Sequence, residues 1–330
     1  MKALMMTKVG EPEVLQLQQV DEPVIRQPSE VKIKLFAAGV NPIDTKIRRG
    51  GLLQGDRFPV ILGCDGAGEV VEVGASVSRY KLGDKVWFCH GGLGLEQGNY
   101  APFNVIDERW LASMPSNASY IEAAAAPLVL ITAWGALYNR GRLQAGQTVL
   151  IHGGAGGVGH VAIQLAKLRG ARVITTVSSP EKEQFVRTLG ADEVIIYPTE
   201  DTLERLLAMT LGRGADLVFD TVGRDVFLPS ITMTAHFGTL VSILDPGVFD
   251  FQEARMRNLS IAFELMLTPM LRNLSEARDE QVAILQRCAE YMLAGQLVIE
   301  VSEVFSLAEG LGAHAIIEAG HTQGKIVLTI

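Results

Sequence analysis

Cysteine is scarce in this chain: among 330 residues only Cys64, Cys89 and Cys288 occur, far apart in sequence. Such spacing offers neither a disulfide framework nor a Cys-x-x-Cys metal knuckle, and points to a reducing, cytoplasmic setting. Clustered Lys and Arg are missing too, and the formal net charge is −8. A nucleic-acid backbone requires grouped cations, so nonspecific nucleic-acid binding is disfavoured. No apolar run is long enough to span a bilayer; the longest, residues 123–137, is short and interrupted by Pro127. The opening MKALMMTKVGEPEV lacks the apolar core of a signal peptide. A soluble protein without membrane or nucleic-acid partners is expected.

What the chain has in quantity is glycine, 34 residues in a composition that is 48% hydrophobic. At this length that suits a well-cored α/β protein of two domains. The densest glycine cluster is TVLIHGGAGGVG, residues 148–159, followed by HVAIQLAKLRGA. A β-rich run breaks into Gly154, Gly156 and Gly159 at GxGxxG spacing, and Val158, Val161, Ala162, Leu165 and Leu168 then recur on one helical face. A second β-rich run at residues 172–177 completes a βαβ unit, the context that gives the spacing its meaning. One glycine permits the turn, one lets backbone approach a pyrophosphate, and one lets helix and strand pack closely. The phosphate charge would meet backbone N–H groups across Gly157, Val158 and Gly159, at the positive end of the helix dipole. A dinucleotide site is predicted, against the simpler alternative of a buried turn without ligand.

An acidic residue closing the second strand would accept the ribose 2′-OH of NAD. Here the tip reads Thr176, Val177, Ser178, Ser179, Pro180, and the first carboxylate is Glu181. Small hydroxyl residues leave room for a 2′-phosphate, and Lys182 lies one turn into the next helix, where its ammonium could pair with it. NADPH is therefore expected in preference to NADH. Ser178 and Ser179 equally suit a helix cap ahead of Pro180, with Lys182 solvated, and the two roles are compatible.

The first third of the chain reads as β structure: Val31, Ile33, Leu35 and Ala37 alternate with Lys32, Lys34 and Phe36, and further runs fall at residues 69–73 and 85–88. From about Tyr120 the texture becomes alternating helix and strand. A helix is predicted at residues 121–139 and strands at 194–197, 217–220 and 239–243. Helices at 180–189, 202–211 and 226–235 would connect them. Six parallel strands with crossover helices make a doubly wound sheet whose ligand lies beyond the strands' C-terminal ends. Helices near residues 277–293 and 307–316 and a last strand, Lys325–Thr329, follow. Isolated from any α/β repeat, that strand is expected to return to the N-terminal β domain.

Six segments carry a resemblance that runs end to end: AAGVNPIDTKIRRG, GCDGAGEVVEVG, LGDKVW, AAAAPLVLITAW, HGGAGGVGHVAIQLAK and the closing TQGKIVLTI. Together they resemble the medium-chain dehydrogenase/reductases, and within them the zinc-free quinone oxidoreductases of the zeta-crystallin type. The resemblance implies a Rossmann-type doubly wound domain at residues 123–261. It would be inserted in a split, mostly β, GroES-like domain at residues 1–122 and 262–330. It further implies Thr132, Ile243 and Leu244 beside the nicotinamide, Ser178 and Lys182 at the 2′-phosphate, and Tyr197 near the adenine ribose. Where some relatives carry a phosphate-binding arginine near the C-terminus, this chain has Gly320 with His321 beside it. Residues 258–270, NLSIAFELMLTPM, occupy the region where relatives pair edge strands, which implies a homodimer, although methionines fill interior gaps as readily.

Zinc alcohol dehydrogenases share the fold, and the resemblance places a metal-binding Cys at Asn41 and a His at Cys64. Asn41 is a poor substitute for a thiolate, and FCHGGLGLEQGNYAPF cannot supply four N or S ligands for a structural zinc. Cys64, Asp65, Cys89 and His90 could still be imagined around a metal; a buried thiol and a loop histidine are favoured. The chemistry that fits is hydride delivery from NADPH to an already electrophilic acceptor, a quinone or an α,β-unsaturated carbonyl. A hydrogen-bond donor is then wanted where negative charge develops on oxygen. The VNPIDTK loop offers Asn41, Asp44 and Lys46: an amide donor, an orienting carboxylate and a full positive charge. Asn41 and Asp44 also suit a turn in which each bonds its own backbone. Relatives often carry tyrosines at the positions of Lys46 and around Leu52, and their absence here makes an aliphatic enone or enal more plausible. A zinc alcohol dehydrogenase and a nucleotide-binding protein with little turnover are the competing classes.

Overall fold

A computed structural model of the chain describes residues 1–320 and 322–330. The chain folds into two compact units, Met1–Leu128 with Leu267–Ile330, and Val129–Met266. Among the described residues, no helix is long and apolar enough to cross a membrane.

The Val129–Met266 unit is built on a six-stranded sheet in which all neighbours are parallel. Side by side lie Glu193–Ile196, Arg172–Val177, Thr148–Ile151, Ala215–Asp220, Thr234–Ser242 and Ser260–Phe263. Numbered along the chain within this sheet, the order is 3-2-1-4-5-6, the doubly wound arrangement. It reverses direction between Thr148–Ile151 and Ala215–Asp220, so the glycine-rich turn leaves the sheet at the switch point. Leu150, Ile174, Val218 and Leu240, one from each of four central strands, meet Phe227 and Ile231 of helix Arg224–Met233 in a buried core. Their near-continuous apolar runs follow from burial on both faces of a parallel sheet.

Most predicted helices are found with their ends moved by a residue or two: Gly157–Leu168, Pro180–Thr188, Thr202–Met209 and Arg224–Met233. The single helix expected over residues 121–139 is instead three pieces, Tyr120–Ala125, Pro127–Trp134 and a π-helical turn, Gly135–Arg140. Pro127 has no N–H with which to continue the first piece. The wider π turn begins at Gly135, where a Cβ would lie 2.6 Å from the Glu264 carboxyl carbon. That carboxyl is held by Arg140 at 3.2 Å. A side chain at Gly135 would require that carboxylate to shift.

The other unit carries a seven-stranded sheet. Its main path runs Val301–Ser306, Lys325–Thr329, Glu30–Val40, Asp65–Val73, Lys85–Cys89 and Ala112–Ser113, with Phe103–Asp107 also pairing to Glu30–Val40. A second sheet joins Leu15–Gln19, Lys2–Met6 and Val60–Ile61. The predicted last strand is found with the predicted bounds, and it returns as expected: Ile326 pairs with Val40 and Thr329 with Ala37, antiparallel. Val31, Ile33 and Leu35 alternate inward to meet Val70, Val86, Phe88 and Ile106. Of the methionine-rich residues 258–270, Ser260–Phe263 forms an edge strand of the six-stranded sheet. Met270 is interior to the split unit, its sulfur accepting the Gly91 N–H at 3.3 Å.

Candidate active site

The glycine-rich turn has the geometry its spacing predicts. A Cβ on Gly154 would lie 2.0 Å from Thr175 Oγ1, and one on Gly159 would lie 2.2 Å from the Gly153 carbonyl oxygen, so neither tolerates a side chain. Gly156 differs: a Cβ there meets only the Gly153 oxygen, at 3.3 Å. It caps helix Gly157–Leu168, whose first-turn amides at Gly157, Val158 and Gly159 have no intrahelical acceptor. A positive helix end with an unobstructed approach is what an anionic pyrophosphate requires.

At the tip of Arg172–Val177 there is no carboxylate to claim a ribose hydroxyl. Ser179 caps helix Pro180–Thr188, its hydroxyl oxygen accepting the Lys182 N–H at 3.3 Å, so the capping alternative is realised for this residue. Ser178 and Lys182 are half-buried, and desolvation lowers the Lys182 pKa. Tyr197, half exposed, donates its N–H to Val177 O at 3.1 Å and so stands beside Ser178. Ile243 donates its N–H to Asp220 O at 3.2 Å, and Leu244 packs where a Cβ on Gly223 would be. These residues share the C-terminal edge of the six-stranded sheet with the turn. Thr132 is buried within helix Pro127–Trp134. Gly320 ends helix Gly310–Ala319 in the split unit, and His321 lies outside the described residues.

In the split unit, Asn41 and Asp44 are brought together and Lys46 is not. Asn41 stands immediately before helix Pro42–Gly50 and is fully buried. Its N–H donates to Asp44 Oδ2 at 2.8 Å and its side-chain amide donates to Asp65 Oδ2 at 2.9 Å. Its amide oxygen accepts from the Lys325 ammonium, which also donates to Val40 O at 3.1 Å. Tyr100 donates to Asp44 Oδ2 at 2.9 Å, and the Leu128 N–H donates to Asp65 Oδ1 at 2.9 Å. Asp44 Oδ1 is buried without a hydrogen-bond partner. Burial pushes the Asp44 carboxyl up to about 7 and the Asp65 carboxyl up to about 6, and it pulls Lys325 down. Lys46 is exposed on the same helix, its pKa lowered by desolvation. Lys325 and Tyr100 were not singled out from the sequence. The available signal was a charged residue opening the otherwise apolar KIVLT strand, where a buried ammonium requires partners.

These residues do not fit a catalytic zinc. The Asn41 oxygen already holds Lys325, and the Cys64 thiol meets Cys89 and is pushed up in pKa, away from the thiolate a metal needs. His90 is engaged elsewhere: its Nδ1 accepts from Arg278 at 2.5 Å and its Nε2 lies 3.4 Å from Glu96. Among the described residues, no group of three or more His, Cys, Asp or Glu could hold a metal ion. All three cysteines are free thiols. Cys64 and Cys89, distant in sequence, are adjacent in the fold because Asp65 pairs with Cys89 across neighbouring strands.

Residues 27–116 match the alcohol dehydrogenase GroES-like domain, and residues 189–328 match the zinc-binding dehydrogenase family. A quinone oxidoreductase of Pseudomonas aeruginosa is 35% identical over 328 residues, 99% of each chain. An alcohol dehydrogenase superfamily protein from Novosphingobium aromaticivorans superposes with a TM-score of 0.93 at 34% identity, covering 100% of this chain and 99% of that one. The quinone oxidoreductase of Escherichia coli, solved in complex with NADPH, superposes with a TM-score of 0.89 at 30% identity over 100% of both chains. With its doubly wound sheet, its GroES-like unit and these likenesses over its full length, the chain is an oxidoreductase of the medium-chain dehydrogenase/reductase superfamily and belongs to its quinone oxidoreductase (zeta-crystallin-like) family.

Proposed function

We propose that the chain uses NADPH to reduce a quinone or an α,β-unsaturated carbonyl without a metal ion. The observation that carries this reading is the Lys325 ammonium bonded to the Asn41 oxygen, the position at which the resemblance places a metal-binding cysteine. A fixed internal cation and an amide take the place of ligands able to polarise an alcohol. Bound NADPH would supply a hydride, so the acceptor must already be electrophilic and must gain a proton. Gly156, Gly157, Val158 and Gly159 would hold the pyrophosphate, and Ser178 and Lys182 the 2′-phosphate, with the fit of the turn and the carboxylate-free strand tip in support. The E. coli relative solved with NADPH supports the same cofactor.

On the acceptor side, the fully buried Asn41 amide donates one N–H to Asp65 and accepts from Lys325. Asn41, Asp44 and Asp65 therefore act as a rigid buried frame, and exposed Lys46 is the charge available to a developing oxyanion. No tyrosine stands at Lys46 or Leu52 to stack a planar ring, which favours a short enone or enal over a broad quinone. A homodimer formed through the edge strand Ser260–Phe263 accompanies this reading. Phe263 and Leu265 there are half exposed. A cytoplasmic setting accords with three free thiols.

The test is NADPH oxidation by metal-stripped protein offered 1,4-benzoquinone, 9,10-phenanthrenequinone and a short alkenal in parallel. Turnover without metal is expected. Silence restored by zinc would return the chain to alcohol dehydrogenase chemistry, and tight NADPH binding without turnover on any acceptor would favour a binding role.

A further inference from the structure

His152, the residue between strand Thr148–Ile151 and the first glycine of the turn, is buried and tied to three other elements. Its N–H donates to Phe219 O at 3.0 Å, and its carbonyl accepts from the Thr221 hydroxyl at 2.6 Å, both at the end of the neighbouring strand Ala215–Asp220. Its ring reaches in two directions. Nε2 lies 3.1 Å from Ser230 Oγ, on helix Arg224–Met233, and Nδ1 lies 3.4 Å from Thr176 Oγ1, at the end of Arg172–Val177. The same Thr176 oxygen accepts the Gly153 N–H at 3.1 Å, inside the dinucleotide turn.

The proton positions follow from chemistry. The Ser230 hydroxyl spends its only proton on Val226 O at 2.7 Å, so toward the ring it can only accept, and Nε2 must carry the hydrogen. Nδ1 then has a lone pair and receives the Thr176 hydroxyl proton. The result is one directed chain: Gly153 N–H to Thr176 hydroxyl to His152 Nδ1, and His152 Nε2–H to Ser230 hydroxyl to Val226 carbonyl. Bonds aligned in this way polarise one another. Burial holds the ring pKa down to about 4, so the neutral form with its acceptor nitrogen persists across physiological pH.

We propose that His152 is a positioning residue for the cofactor: as the Nε2–H tautomer it fixes the Thr176 hydroxyl that anchors Gly153, and thereby holds the phosphate-binding turn open for NADPH. The proposal rests on the dinucleotide reading above and adds the device that preorganises it.

Two substitutions separate the arms of the ring. In His152→Asn the amide oxygen can sit near the place of Nδ1 and keep an acceptor for Thr176, whereas in His152→Gln the amide nitrogen reaches the place of Nε2 and keeps only the bond to Ser230. Thr176→Val removes the hydroxyl itself at nearly constant shape. NADPH dissociation constants from fluorescence titration are expected to rise about tenfold in His152→Gln and Thr176→Val, the weight of one buried hydrogen bond, and to stay within about threefold of wild type in His152→Asn. The Gly153 amide should exchange with solvent faster in the first two, and kcat at saturating NADPH should change less than KM. Ring nitrogen shifts of wild type without cofactor should report the Nε2–H tautomer. An Nδ1–H ring, or a His152→Gln protein that binds NADPH as tightly as wild type, overturns the proposal. Failure of wild type to bind NADPH overturns the cofactor reading instead, while the tautomer and amide exchange still decide whether His152 fixes Thr176 and Gly153.

Discussion

Replacing Lys325 with Met tests the buried network at its most charged point. The side chain is almost fully buried, with its ammonium on Val40 O and the Asn41 amide oxygen and its field on Asp44 and Asp65. Met keeps the bulk and removes the charge. Two oxygens lose a donor, which together costs about 1–3 kcal/mol, the low end of the range for each buried acceptor left unsatisfied. Two carboxyls also lose the cation that faces them in this cluster; breaking such a buried pairing costs about 3–5 kcal/mol when the partner is ionised. Ionisation sets the pH dependence. Asp44 and Asp65 have folded pKa values of about 7 and about 6, above the unfolded value near 4. A carboxyl raised in this way binds more protons in the folded state, so stability falls as pH rises from about 4 and the fall stops at the folded pKa. Without Lys325 the folded pKa values move higher still and the fall continues. K325M should therefore lie about 1–3 kcal/mol below wild type at pH 5, and about 3–5 kcal/mol below it at pH 8. At about 2–4 °C per kcal/mol, the pH 8 difference is a Tm loss of roughly 6–20 °C. Calorimetry from pH 5 to pH 8.5 reads both limbs, and adding D65N should recover much of the loss at high pH. A gap independent of pH, or a D65N change that deepens it, would refute the reasoning.

Three further outcomes follow from the same geometry. K182A should weaken NADPH by about 1–3 kcal/mol and leave NADH nearly unchanged, as measured by paired titrations; equal losses would remove Lys182 from the 2′-phosphate. G159A, whose Cβ meets backbone at 2.2 Å, should lower Tm sharply, whereas G156A, with one contact at 3.3 Å, should leave Tm nearly unchanged and weaken NADPH binding about tenfold or more. His90, His152 and His314 are held by burial at about 3, about 4 and about 3. Bases depressed in the fold contribute stability above the unfolded value near 6.5 that is lost as pH falls toward the folded value. H314F, which keeps a ring edge toward Tyr100, should therefore make the acid limb of a stability profile shallower by about 1.4 kcal/mol per pH unit. An unchanged slope would show that His314 takes up no extra proton on unfolding.

The glycine-rich turn was largely legible because it is local. Gly154, Gly156 and Gly159 lie within six residues, and the strand before them and the helix after them are written in the same short stretch. The cap at Ser179 was legible for the same reason, its hydroxyl accepting the Lys182 N–H. The split helix at residues 121–139 was not: Pro127 is visible in the sequence, but Gly135, where the π turn begins, packs against Glu264, more than a hundred residues on. Lys325 likewise reads as the start of an apolar strand, and nothing nearby names its partner.

The sequence by itself determined the alternating strands and helices around the six-stranded sheet, the glycine-rich turn and the existence of the last strand, since periodicity, glycine spacing and chain polarity act over a few residues. Only the tertiary structure decided that Asn41 faces an ammonium 284 positions away, that Cys64 meets Cys89, and that His152 links a turn to a distant helix. Those contacts are fixed by which strands pair and which helices cover them. A buried charge or ring nitrogen finds its partner across the sheet, where burial makes an unmet hydrogen bond costly.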